Sequence, residues 1–177
     1  MPQASNDEMP SSWAGESVER AGELGLLPDV FCSGYRRSTT RAEFAAIAIA
    51  LYEYFREPIT GRATFIDTTD TNVEKAAYLG IVTGIGNNRF DPYSPLTREQ
   101  AAVMIARLAY AIGQPLPLAD PTFADNAAIS SWAVDAVGQV QAAGIMGGVG
   151  DNSFAPGGDY TTEQSIITML RLFEILN

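Results

Sequence analysis

Gly80-Ile81-Val82-Thr83-Gly84-Ile85-Gly86-Asn87-Asn88-Arg89-Phe90-Asp91-Pro92 is followed, four residues later, by Thr97-Arg98-Glu99-Gln100. This stretch decides the fold, because it joins two helical patterns through a glycine-rich loop that neither helix can continue. Upstream, Phe65-Ile66-Asp67 precedes an alanine-rich helical segment ending in Leu79-Gly80-Ile81-Val82. Downstream, Ala102, Ile105, Leu108, Ala109 and Ile112 recur at the spacing of one buried helix face, and Gly113 stands where a C′ glycine ends a helix. Thr97 and Gln100 have capping-box spacing: the hydroxyl accepts from the backbone of the fourth residue, whose side chain reaches back.

The unit recurs. Phe123-Ala124-Asp125 opens it again, a helical pattern runs from about Ser130 to Ala143, and the loop returns as Gly144 to Pro156. Thr161 and Gln164 then cap a helix burying Ile166, Ile167, Leu170 and Phe173. A worn copy comes first. Ser11-Ser12-Trp13-Ala14 opens a pattern through Val18, Ala21 and Leu24, Pro28 to Ser38 is loop, and Thr40 and Glu43 cap an apolar run from Phe44 to Phe55. Phe65 and Phe123 stand 58 residues apart, whereas Phe90 and Phe154 stand 64 apart, so the third copy has gained six residues between these landmarks. Periods near sixty exceed the roughly 20–50 residues of common solenoids. Three such units are expected to close around a shared axis as one all-α domain. The expected division is a flexible leader at 1–10 and copies at 11–60, 61–119 and 120–177.

A formal charge of −10 with a pI near 4.3 argues against a nucleic-acid partner, which needs clustered basic surface. No run approaches the ~20 apolar residues of a membrane span, so no membrane insertion is expected. Lys75 is the single lysine, so positive charge is almost wholly arginine, whose planar fork binds carboxylates bidentately. Cys32 is the single cysteine and histidine is absent, which leaves no internal disulfide, no cysteine cluster and no histidine base or ligand. The acidic loops lack the EF-hand alternation, and neither metal nor cofactor is called for. Asp67 and Asp70 are the nearest thing to a glycosidase dyad, but nothing sets them across a cleft, and no catalysis is expected. Residues 1–10 carry no signal peptide, which suits an intracellular protein or a piece of a longer secreted chain.

These landmarks resemble the S-layer homology (SLH) family, whose repeat reads Phe-x-Asp, a helix often carrying Trp, Gly-Ile-x-x-Gly-x-Gly, Phe-x-Pro and Thr-Arg-x-Glu. The second copy matches through Phe65, Asp67, Gly80-Ile81, Gly84, Phe90, Pro92, Thr97 and Arg98. The third matches through Phe123, Asp125, Trp132, Gly144-Ile145, Gly147, Phe154, Pro156 and Thr161, and the first is divergent. The resemblance implies a pseudo-threefold, trimer-like domain with a central three-helix bundle. It implies, too, the non-covalent anchoring of a larger surface protein to secondary cell-wall polysaccharide of a Gram-positive-type envelope. In that family the polymer is often tipped by a pyruvylated amino sugar held in inter-repeat grooves. The corresponding location is extracellular, at the cell wall or S-layer.

A pyruvyl ketal presents a carboxylate. Arg41 and Arg98, directly after helix N-caps, are candidates for it, because backbone N–H groups and the helix dipole favour an anion there. Trp13 and Trp132 offer flat faces to a sugar ring, Gly84 and Gly147 allow close approach to the backbone, and Asp67 and Asp125 complete the candidate ligand set. Each has a structural alternative: ion pairs or solvated helix starts for the arginines, helix packing for the tryptophans, and caps or loop braces for the aspartates. Departures from the family pattern lie in every copy. Thr162 replaces an arginine, Glu74 stands 58 residues before Trp132, and the first copy lacks the glycine loop. Fewer than three working grooves are expected, with the one using Arg98 favoured. The rival reading is a degenerate SLH module that makes protein–protein or purely structural contacts.

Overall fold

The computed structural model describes residues 9–177, so the expected leader lies outside the described residues except for Met9 and Pro10. Three helices of 15 residues dominate: α2 (Arg41–Phe55), α4 (Arg98–Ile112) and α6 (Thr162–Leu176). Each follows a threonine in extended backbone, and at all three the capping box is complete, with Glu43, Gln100 and Gln164 returning to Thr40, Thr97 and Thr161. These helices are apolar around most of their circumference and contact one another, which makes them the central bundle. The C-terminal end of α4 is the left-handed Gly113, with φ 88°.

Three short helices surround the bundle: α1 (Gly15–Glu23), α3 (Thr71–Tyr78) and α5 (Val134–Ala142). Their partners are not the long helices of their own copies. α3 packs on α2, α5 on α4, and α1 on α6, so each short helix covers the long helix of the preceding copy and the last copy is covered by the first. Val73 and Ala76 of α3 and Val137 and Val140 of α5 are fully buried in this way, within one continuous apolar core. Lys75 of α3 also pairs with Glu53 of α2 at 2.6 Å.

The backbone follows the same exchange. The first N–H groups of an α-helix have no partner inside the helix. Here Arg41 and Ala42 donate to the carbonyls of Ser94 and Pro92, both at 3.0 Å. Arg98 and Glu99 donate to Gly158 and Pro156 at 3.1 and 3.0 Å, and Thr162 and Glu163 to Arg37 and Tyr35 at 2.9 and 2.8 Å. Each long helix is thus capped by the loop of the next copy, in a ring. Isolated antiparallel bridges, Thr40 with Pro95, Thr97 with Asp159 and Ser38 with Thr161, run around the same ring.

The glycine loops of copies two and three are tight hairpins. Asn87 and Asn88 (φ 49° and 55°) and Asp151 and Asn152 (φ 47° and 52°) occupy the left-handed pair of positions that a type I′ turn requires. Asp67 accepts from the N–H groups of Phe90 and Asp91, both at 2.9 Å. Asp125 accepts from Phe154, Ala155 and the Ser153 hydroxyl at 2.7–2.8 Å. These two carboxylates brace the loops that cap the neighbouring helices.

Thr97→Ala removes the hydroxyl that satisfies the Gln100 N–H, and is expected to cost about 1 kcal/mol. Urea unfolding checks it, and an unshifted midpoint would show that the cap contributes nothing. Asp67 and Asp125 give a pH test. The backbone N–H groups of Phe90 and Phe154 hold their carboxyls below the ordinary value. With an unfolded value near 3.9, this stabilisation is complete above that pH and is lost as pH falls through the depressed folded values. The Asp67→Asn/Asp125→Asn protein should therefore lose stability less steeply between pH 5 and pH 2 than the parent. Equal slopes would contradict the assignment.

Candidate functional site

Arg41 and Arg98 are the first residues of α2 and α4, and both are buried, at 7% and 5% exposure. The Arg98 guanidinium lies over the Phe154 ring (4.8 Å to its centroid) while Nε donates to the Phe154 carbonyl at 2.8 Å and Nη2 to that of Gly147 at 2.7 Å. Arg41 repeats this with the Phe90 ring at 4.5 Å, the Phe90 carbonyl at 2.9 Å and the Thr83 carbonyl at 2.6 Å. Burial pulls both pKa values below that of a free arginine, yet a guanidinium remains charged in proteins. Each arginine therefore staples its helix to the glycine loop of the next copy. The first two N–H groups of each of these helices, expected to favour an anion, already donate to Ser94, Pro92, Gly158 and Pro156.

Beyond each staple lies an open cleft. The first, about 380 Å³, has Arg98 and the Gly147-Gly148-Val149 loop on one side, Gln164, Ile167 and Arg171 of α6 as its base, and Trp13 opposite. The second, about 340 Å³, has Arg41 and Thr83-Gly84-Ile85 on one side, Gln100, Val103 and Arg107 of α4 as its base, and Trp132 opposite. Every residue that lines the second cleft has its counterpart in the first. Each cleft is assembled from three copies, one supplying the staple, the next the loop and base, and the third the tryptophan. Trp13 and Trp132 are 61% and 58% exposed, so the packing alternative for these rings does not describe where they stand.

Arg107 and Arg171 are the residues that motif reasoning misses. Both lie ten residues after a capping threonine and seven after the capping glutamine, two turns along one helix face. That shared spacing is the available signal. Both are exposed, and Arg171 donates to the Ile145 carbonyl at 3.0 Å. With them each cleft carries two guanidinium groups. Among the described residues no carboxylate lines either cleft, although the chain has 21 acidic residues against 11 basic. The charged side chains of both linings are therefore arginines alone, in a strongly acidic protein.

The remaining candidates fall elsewhere. Asp67 and Asp125 hold the loops from behind and line neither cleft. A Cβ at Gly84 would come within 2.7 Å of the Arg89 carbonyl, so that glycine serves the hairpin itself. Its counterpart is Gly148, 2.9 Å from the Ser153 carbonyl by the same measure, and not Gly147, where a Cβ would meet nothing within 4 Å. Glu74 is not the counterpart of Trp132. The six extra residues of the third copy precede α5, where a 3-10 turn at Asn126–Ala128 lies, so the helix-based spacing is 64 and Thr68 takes that position.

This register gathers the departures into one place. At the third equivalent position around the ring the staple is Thr162, the tryptophan is Thr68, and Gln100 and Arg107 become Glu43 and Ala50. The Glu43 carboxylate is engaged there by Arg37, with its two oxygens at 2.8 and 2.7 Å from the guanidinium. Losses that look spread over three copies along the chain belong to a single position, and the other two keep their full lining.

The S-layer homology domain family matches residues 68–102 and 122–159, the cores of the second and third copies. The chain is 27% identical over 175 residues to an amylopullulanase of Thermoanaerobacterium thermosulfurigenes, covering 95% of this chain but 9% of that protein. It is 28% identical over 179 residues to the exoglucanase XynX of Acetivibrio thermocellus, covering 97% of this chain and 16% of that protein. An S-layer protein of Bacillus thuringiensis subsp. finitimus is 36% identical over 94 residues, about half of this chain and 10% of that protein. The chain thus spans a small fraction of each relative's length. Residues 68–102 and 122–159 thus match two repeats of the S-layer homology family, on a frame that is helical and without sheet among the described residues.

Proposed function

We propose that this chain is a non-covalent anchoring module that binds an anionic cell-wall glycan in its two arginine–tryptophan clefts and so holds a larger surface protein to the envelope. The observation that carries this reading is the repetition of one lining at two positions: an exposed indole face, a glutamine, two guanidinium groups with no carboxylate among the lining residues, and a glycine loop. Large aromatic faces left open to solvent contribute little to folding and suit a flat ligand. A sugar ring bearing a carboxylate, such as a pyruvylated amino sugar of secondary cell-wall polysaccharide, has the matching chemistry. Its ring would lie on the tryptophan and its carboxylate would meet Arg107 or Arg171, whose guanidinium groups are not consumed in the staples. At physiological salt the Debye length is only ~8 Å, so these local cations act on a ligand despite the net charge of −10. The relatives named as polysaccharide hydrolases and as an S-layer protein agree with a shared surface-attachment segment, since each alignment covers only a small part of them. The proposed role is binding, with no catalytic step.

Cosedimentation with purified peptidoglycan sacculi tests it, before and after hydrofluoric acid strips the attached polymer. Binding is expected to the intact sacculi and to vanish on stripping; equal binding to stripped sacculi, or none to either, would sink the reading. Arg107→Ala and Arg171→Ala should each weaken one of two sites by roughly tenfold to a hundredfold, the loss of one charge-assisted hydrogen bond. The double variant should abolish sedimentation while its thermal midpoint stays near the parent's. Arg98→Ala should instead lower that midpoint, because it removes the staple.

A further inference from the structure

Both tryptophans are more than half exposed, so packing of the indole contributes little to placing it. What places them is the backbone of an identical tetrapeptide, Ser11-Ser12-Trp13-Ala14 and Ser130-Ser131-Trp132-Ala133. In both the alanine is fully buried and its N–H closes a turn on the serine carbonyl, at 2.9 and 2.8 Å. The serine is then gripped from another copy. Ser11 donates its N–H to Oε2 and its hydroxyl to Oε1 of Glu163, both at 2.8 Å. Ser130 makes the same pair of bonds to Glu99, both at 2.9 Å. Each glutamate is the second residue of a long helix and neighbours the capping glutamine of the cleft that its tryptophan closes: Glu163 beside Gln164, Glu99 beside Gln100.

We propose that Glu99 and Glu163 are positioning residues that clamp the tryptophan wall of each cleft over its cationic base, an assignment that rests on the two clefts being glycan sites. The third position around the ring supplies an internal comparison. There the second helix residue is Ala42, the serine counterpart is Ile66 and the tryptophan counterpart is Thr68. Clamp glutamate, clamped serine and tryptophan are present together twice and absent together once. A glutamate serving only the helix dipole would need neither the serine nor the ring. The carboxylate satisfies both serine donors at once, which fixes the turn's orientation as well as its distance.

The chain has two tryptophans, so Trp132→Phe leaves Trp13 as the sole indole emitter and also weakens the second cleft, isolating the first. In that background Glu163→Ala is expected to add a fast component to the Trp13 anisotropy decay and to raise its acrylamide quenching. Affinity for cell-wall polysaccharide released by hydrofluoric acid should drop about two- to tenfold, the cost of ordering a freed side chain on binding. Glu163→Gln, which keeps one acceptor, should recover part of both effects. Ser11→Ala, made because the glutamate variant changes a buried site, removes the hydroxyl bond and keeps the N–H bond, so it should reproduce part of the loss, and adding it to Glu163→Ala should cost nothing further. Unchanged Trp13 motion in both single variants, or loosened motion with unchanged affinity, overturns the clamp. Failure of the parent protein to bind the polysaccharide overturns the anchoring reading instead.

Discussion

Six backbone hydrogen bonds at the starts of α2, α4 and α6 hold this molecule in its closed form. A helix start presents N–H groups that its own turn cannot satisfy, and burying them unpaired costs on the order of 1–3 kcal/mol each. The capping threonine satisfies one of them locally. The loop of the following copy satisfies the two before it, and the ring closes when α6 takes its partners from Tyr35 and Arg37 of the first copy. No copy satisfies the first two N–H groups of its own long helix in this geometry. The short helices obey the same order, each covering the apolar face left bare by its predecessor.

The clefts are a product of that closure. The same exchange that brings a loop to a neighbouring helix start leaves a groove between the loop, the helix it precedes and the tryptophan turn before the short helix of the third partner. The two kinds of arginine then divide the work. Arg41 and Arg98 are turned inward, stacked on Phe90 and Phe154 and bonded to loop carbonyls, so their charge is largely spent on cohesion. Arg107 and Arg171 sit two helical turns further on, exposed and free of acidic neighbours in the cleft lining. An arginine directly behind an N-cap looks like the better anion ligand in one dimension, because the loop that occupies the helix start comes from fifty residues away.

Much of the fold is legible in the chain. The threonine–glutamate and threonine–glutamine spacings mark the starts of all three long helices, Gly113 marks an end, and the repeated Phe-x-Asp and glycine-loop landmarks give the number of units. Those signals are local: a cap or a turn is settled by four or five consecutive residues. The site is less legible. Trp13, Trp132, Arg41, Arg98, Gly84 and Gly147 stand out in the chain and do line the clefts, but Arg107 and Arg171 look like ordinary helix-face residues there. The six-residue insertion before α5 also displaces the apparent partner of Trp132 from Thr68 to Glu74, since counting from Phe65 and Phe123 places the insertion on the wrong side of that position.

By itself, then, the sequence determined that this protein is three capped helix–loop–helix units, acidic overall, with arginine and tryptophan at recurring stations. Periodicity and capping chemistry are properties of neighbouring residues, which is why they survive in one dimension. Tertiary structure alone decided which copy completes which. That choice converted two arginines into staples, turned Asp67 and Asp125 into loop braces, and gathered substitutions scattered over three copies into one altered position beside two intact ones. The physical reason is that unsatisfied helix starts and half-bare helix faces can be completed by any copy, and only the geometry of the closed ring selects the next one.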